Sequence, residues 1–131
     1  MSSHWSDRSV GRPYVEGKFD CGDVAVRVQK DIFRRTILLP SDHGNDAAQR
    51  AALIHERRAE FARPTAELEA RADGDPLLLI VRGREQHIGT YCVIDGEPWV
   101  LHSFQRIGSH RTRLRHLAMF GCTIEGFYKW I

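Results

Sequence analysis

The chain has 131 residues, 42% of them hydrophobic and 27% charged, which suits one ordinary soluble domain, residues 1–131, with a single core. A formal charge of +2 is too small to form a nucleic-acid footprint by itself, and no apolar run approaches the length of a bilayer span, so neither nucleic-acid binding nor membrane insertion is expected. Three cysteines, widely spaced and with no CxxC pair, argue against a disulfide framework and against a cysteine zinc site.

The opening "MSSHWSDRSVGRPY" has neither a basic start followed by an apolar block nor a small-residue cleavage site; no secretory signal is visible and synthesis in the cytoplasm is expected. Within it the sequence predicts one short helix around Trp5 to Val10, capped by Ser3. From Asp20 to about Phe33 two periods compete. Val24, Val26 and Val28 alternate like a strand, whereas Cys21, Val24, Ala25, Val28 and Ile32 share one helical face. The length of the run and Asp20 as N-cap favour helix. A connection over Arg35 to Asn45 ends in the caps Asn45 and Asp46, and "DAAQRAALIHERRAEFA" reads as a helix stopped by Pro64. After a loop at Ala72 to Pro76, the segments Leu77 to Gly83, His87 to Ile94 and Trp99 to Phe104 are strand-like, with Asp95-Gly96 as a hairpin turn between the last two. A short helix near Leu114 to Phe120 and a final strand within "TIEGFYKWI" complete an α+β layout, helices first and an antiparallel sheet second. Gln105 to His116, with four arginines and two histidines, reads as a solvated face or a protein contact, because no aromatic residue is interleaved to stack on bases.

A thiol at a helix N-terminus faces unpaired N–H groups and the positive end of the helix dipole, which favours thiolate. Cys21 meets that condition, while Asp20 and Asp23 oppose it by like-charge repulsion, so a nucleophilic Cys21 needs an imidazole partner. Burial as an unreactive side chain is the commoner fate of a cysteine, and the residues alone leave both readings open. Of seven histidines, His4, His43 and His55 read as surface residues, and His110 and His116 belong to the basic stretch. His87 and His102 lie in apolar strands, where a polar side chain needs a reason. A two-residue turn at Asp95-Gly96 pairs Ile94 with Glu97 and brings Gly89 opposite His102. The two histidines then share a sheet face about 7 Å apart. Cys92 points to the other face, and Cys122 reads as a small buried hydrophobe. A zinc site of His87, His102 and an acid or Cys21 lacks HExxH, CxxC or short ligand spacing; no metal or cofactor is expected.

With Cys21, His87 and His102 in this order, the chain resembles the NlpC-type cell-wall cysteine peptidases, a papain-like family. The resemblance rests on "GRPYVEGKFDCGDVAVRV" (Gly11 to Val28) and "DGDPLLLIVRGREQHIGTYCVIDGEPWVLHSF" (Asp73 to Phe104). It implies a papain-like packing of N-terminal helices on the sheet, Cys21 as nucleophile, His87 as general base, His102 as its orienting residue, and Tyr14 and Asp20 as substrate-binding residues. The substrate implied is a peptidoglycan stem peptide. Many members have Ser-Gly after the cysteine where this chain has Gly22 and Asp23, which changes the recognition of the peptide end. "VQKDIFRRTILLP" and "EGFYKWI" look like the subset found in phage and prophage tail clusters. That likeness implies a virion-tail hydrolase that associates with other tail proteins and reaches the host periplasm and cell wall during genome delivery. The alternatives are an injected toxin amidase and a non-catalytic tail-tip or assembly protein.

Overall fold

The computed structural model describes residues 4–13, 21–39, 47–65, 71–83, 85–104 and 107–131, without the side chains of 21, 47, 48, 85 and 104. Among the described residues six strands form one antiparallel sheet: β1 (Ala62–Pro64), β2 (Pro76–Val81), β3 (Glu85–Ile94), β4 (Glu97–Phe104), β5 (Gly108–Arg113) and β6 (Cys122–Trp130), in the spatial order β1-β6-β2-β3-β4-β5. The helices α1 (Cys21–Asp31) and α2 (Ala47–Glu56) lie against it, together with 3-10 turns at Trp5–Ser9, Arg58–Glu60 and Leu114–Phe120.

The sequence of β2 explains why the sheet is covered on both sides. Leu77, Leu78 and Leu79 are consecutive and each is at most 1% exposed, so successive side chains need an apolar partner above and below. On one face, Leu78 and Ile88 meet Ala25 of α1 and Ile54 of α2, and Cys92 and Leu101 meet Val24 and Val28 of α1. On the other, Leu77, Leu79, Tyr91 and Val100 pack with Leu117 of the third 3-10 turn and with Cys122. The i, i+1, i+4 placement of Val24, Ala25 and Val28 fits a helical stripe, and its burial overrides the modest helix propensity of valine.

The papain-like expectation, N-terminal helices forming a layer on a C-terminal sheet, is corrected. The sheet dominates, α1 and α2 are two short helices against one face of it, and β1, which follows α2 in the chain, lies at the edge of the sheet beside β6. Two segments cause the difference. The run expected to stay helical to Pro64 leaves the helix at Glu56, and Ala62–Pro64 pairs with Tyr128–Trp130 as β1. The basic stretch supplies β5, paired with β4 from Trp99↔Arg113 to Phe104↔Gly108. The first turn is capped by His4, whose Nδ1 accepts from the Ser6 N–H while Asp7 accepts from the His4 N–H. Ser3, Asp20, Asn45 and Asp46, the caps expected from the sequence, lie outside the described residues.

Candidate functional site

The β3–β4 hairpin builds the centre of the site. Asp95 (φ 52°) and Gly96 (φ 78°) occupy the left-handed region together, the requirement of a two-residue turn whose twist matches the strands. Ile94 therefore pairs with Glu97, and the ladder runs on to Thr90↔Leu101. One further step sets Gly89 across from His102, the register read from the sequence. A Cβ on Gly89 would lie 2.5 Å from Val100 Cγ1, so the glycine leaves the close packing between the strands undisturbed.

The two imidazoles meet beside that glycine. His87 Nε2 and His102 Nδ1 are 3.2 Å apart, with ring centroids 5.3 Å apart and planes at 65°. The second nitrogen of His102, Nε2, lies 2.9 Å from Thr112 Oγ1 on β5. The His110 ring is stacked at a tilt 4.4 Å from that of His102, and its Nδ1 donates to the Gly108 carbonyl at 3.1 Å. His87 is 5% exposed and His102 fully buried. Burial, with His110 and His55 nearby, pushes the His87 imidazole down to about 3. Burial, with His87 and His110 as neighbours, likewise holds His102 well below the ordinary histidine range. Both rings are neutral near pH 7, and each neutral ring offers one N–H and one lone pair.

His55 contributes a contact that the sequence reading missed. It was expected on a solvated helix face, yet it is buried, with Nε2 2.8 Å from the His87 carbonyl oxygen and 3.2 Å from the His87 N–H. Either tautomer finds a main-chain partner, so α2 clamps the backbone of the residue whose side chain meets His102. The signal available in the sequence was its place after Ala51 and Ile54, the buried stripe of α2.

Cys21 opens α1, an 11-residue helix; its side chain is not among those described. The body of α1 packs on the Ile88, Cys92 and Leu101 face, whereas His87 and His102 occupy the alternate positions of β3 and β4. Tyr14 and Asp20 lie outside the described residues. Asp23, in the first turn, receives an ion pair from Arg50 Nη1 of α2 at 2.8 Å. Cys92 is fully buried and donates weakly to the Thr90 carbonyl, and burial first, then Asp73, drives its thiol up to about 12. Cys122 is also buried, with its thiol raised by burial. The basic stretch is largely spent on internal contacts: Arg111 binds Ser6 Oγ and Asp7, Arg113 and Arg115 bind Glu97, and Arg113 lies over Trp99. Arg106 lies outside the described residues.

Among the described residues no group of three His, Cys, Asp or Glu is arranged to hold a metal ion, and no helix is long and apolar enough to cross a membrane. Compared with protein-family models, with curated proteins and with solved structures, the chain matches none.

Proposed function

We propose that the chain is a cysteine hydrolase of peptidoglycan stem peptides, carried by a phage or prophage tail. The observation that carries the reading is the 3.2 Å contact between His87 and His102, an imidazole oriented by a second side chain downstream of a cysteine that opens a helix. The tail association and the wall substrate rest on the motif resemblance alone.

In this reading the Cys21 thiol passes its proton to His87 Nδ1, and the thiolate attacks the amide carbonyl carbon. The tetrahedral oxyanion is held by N–H groups at the start of α1. Its collapse breaks the C–N bond, with the His87 proton leaving on the amine, and water, deprotonated by His87, releases the acyl group from sulfur. Because α1 rests on the other sheet face, Cys21 has to meet His87 around the end of the sheet where β3 begins and β4 ends. The adjacent thiolate must also raise the low basicity of His87, which an opposite charge within a few ångströms does.

A second reading is favoured by the burial of the pair: a structural hydrogen bond in a non-catalytic tail-tip or assembly protein has the same geometry. Purified peptidoglycan separates the two. The parent should release soluble peptides, and Cys21→Ala and His87→Ala should each reduce release by about a thousandfold or more. Intact peptidoglycan after incubation with folded parent protein would replace the hydrolase with the assembly reading. Tail or immunity genes beside the coding sequence distinguish tail delivery from an injected toxin amidase.

A further inference from the structure

We infer that the cavity between the end of α1, the turn before β2 and the paired ends of β1 and β6 is a binding site for a small molecule that carries an oxyanion, a phosphate or a carboxylate. The cavity measures about 290 Å³, room for a compact ligand. Three cations line it, Arg35, Arg63 and Lys129, against two carboxylates, Asp73 and Asp75. Both carboxylates are already engaged. Asp75 Oδ2 lies 2.7 Å from Lys129 Nζ and accepts the Ala72 N–H at 2.8 Å, and Asp73 Oδ1 accepts the Val93 N–H at 2.7 Å. Among the described residues, the guanidinium groups of Arg35 and Arg63 have no hydrogen bond or ion pair.

The sheet itself places a charge conflict at this cavity. Arg63 is directly opposite Lys129 in the β1–β6 ladder, and like charges facing each other across a strand pair repel. Asp75 neutralises Lys129 alone, which leaves Arg63 uncompensated, and Arg35 adds a further cation to the same cavity. An oxyanion removes the conflict, since each guanidinium can meet it with two parallel N–H donors. The walls are preformed. The Gly74 carbonyl accepts from both Gln29 Nε2 and Trp130 Nε1 at 2.8 Å, and a Cβ at Gly74 would lie 2.7 Å from the Phe33 ring. Arg34 (φ 54°) turns the chain out of α1, and the Arg35 N–H takes the Gln29 carbonyl at 2.8 Å, which fixes where Arg35 leaves the helix. Phe33 and Trp130 offer their rings to the apolar body of the ligand. Gln29 lies about 12 Å along α1 from Cys21, so the cavity is separate from the thiol of the hydrolase reading and does not depend on that reading.

The experiment is a titration of the full chain at pH 7 with inorganic phosphate and with succinate, at constant ionic strength set by chloride, read by amide NMR shifts at Gly74, Asp75 and Lys129. Saturating shifts are expected. Tighter phosphate identifies a phosphate-bearing ligand, and tighter succinate a carboxylate. Arg35 and Arg63 are exposed, so their substitution leaves the core intact. Arg35→Gln and Arg63→Gln should each weaken binding about tenfold, the effect of one charge-assisted contact, and Arg63→Glu should abolish it. Shifts that fail to saturate with either anion overturn the inference. So does equal affinity in the parent and in the Arg35→Gln, Arg63→Gln double variant, or an Arg63→Glu protein that binds like the parent.

Discussion

His87 and His102 are held neutral by burial, and this sets a pH dependence of stability. The His87 imidazole is about 3 in the fold against an ordinary 6.5, and His102 and His55 are lowered in the same direction. Below about pH 6.5 the unfolded chain takes up protons that the folded chain refuses, so stability is full above that pH and falls as pH drops toward 3. Denaturant titrations should show this decline, and His102→Gln should flatten it by removing one proton-refusing ring. A parent equally stable at pH 7 and pH 4.5 would show that the rings titrate normally in the fold. Reactivity at the thiols follows the same logic. Iodoacetamide at neutral pH should leave Cys92 and Cys122 unlabelled in the native protein, since both are buried with raised thiols. The hydrolase reading further expects Cys21 to be alkylated first, and peptide mapping checks both statements.

The hairpin is the element on which the site depends. Its register follows from Asp95-Gly96, and its closeness at the site from Gly89. Gly89→Ala should drive a methyl into Val100 and cost about 1–3 kcal/mol by overpacking, measured by denaturant unfolding, with the ring-nitrogen NMR signals of His87 and His102 perturbed as well. A Gly89→Ala protein as stable as the parent, with unchanged signals, would show that β3 and β4 can separate without loss. At the edge of the sheet, β5 is joined to the N-terminal segment by Gly11 N–H to the Ser109 carbonyl and Ser109 N–H to the Arg12 carbonyl, with Arg111 reaching Ser6 and Asp7. Arg111→Ser should therefore accelerate hydrogen exchange at Gly11 and Ser109 while leaving the β2–β3 amides protected. Unchanged exchange at those two amides would reduce the Arg111 contacts to a surface pairing without consequence.

At the scale of the whole molecule, two apolar layers enclose the sheet, and the α2 side is secured by Ile54, 1% exposed against Leu78 and Ile88. Ile54→Ala should cost about 2–5 kcal/mol and, because α2 also carries His55, loosen the main chain at His87. Leu38 is 85% exposed, and Leu38→Ala should leave the unfolding midpoint nearly unchanged. Equal effects of the two substitutions would contradict this placement of the core.

Local chemistry was enough to determine several parts of this protein. A turn that needs two left-handed residues, apolar alternation on both sides of it and a helical stripe at Val24, Ala25 and Val28 are short-range signals, so β2, β3, β4, β6, α1 and the facing of His87 and His102 were legible. The tertiary structure alone decided what depends on partners distant in the chain. Ala62–Pro64 becomes a strand because β6 offers it an edge, and the polar run Gly108–Arg113 because β4 does; neither has a local period of its own. His55 is buried because α2 lies over β3, and Thr112 reaches His102 because β5 is in register with β4. A side chain's environment is the sum of surfaces brought to it from elsewhere, so the sequence could pair two histidines across one turn but could not show the threonine and the second helix that hold them.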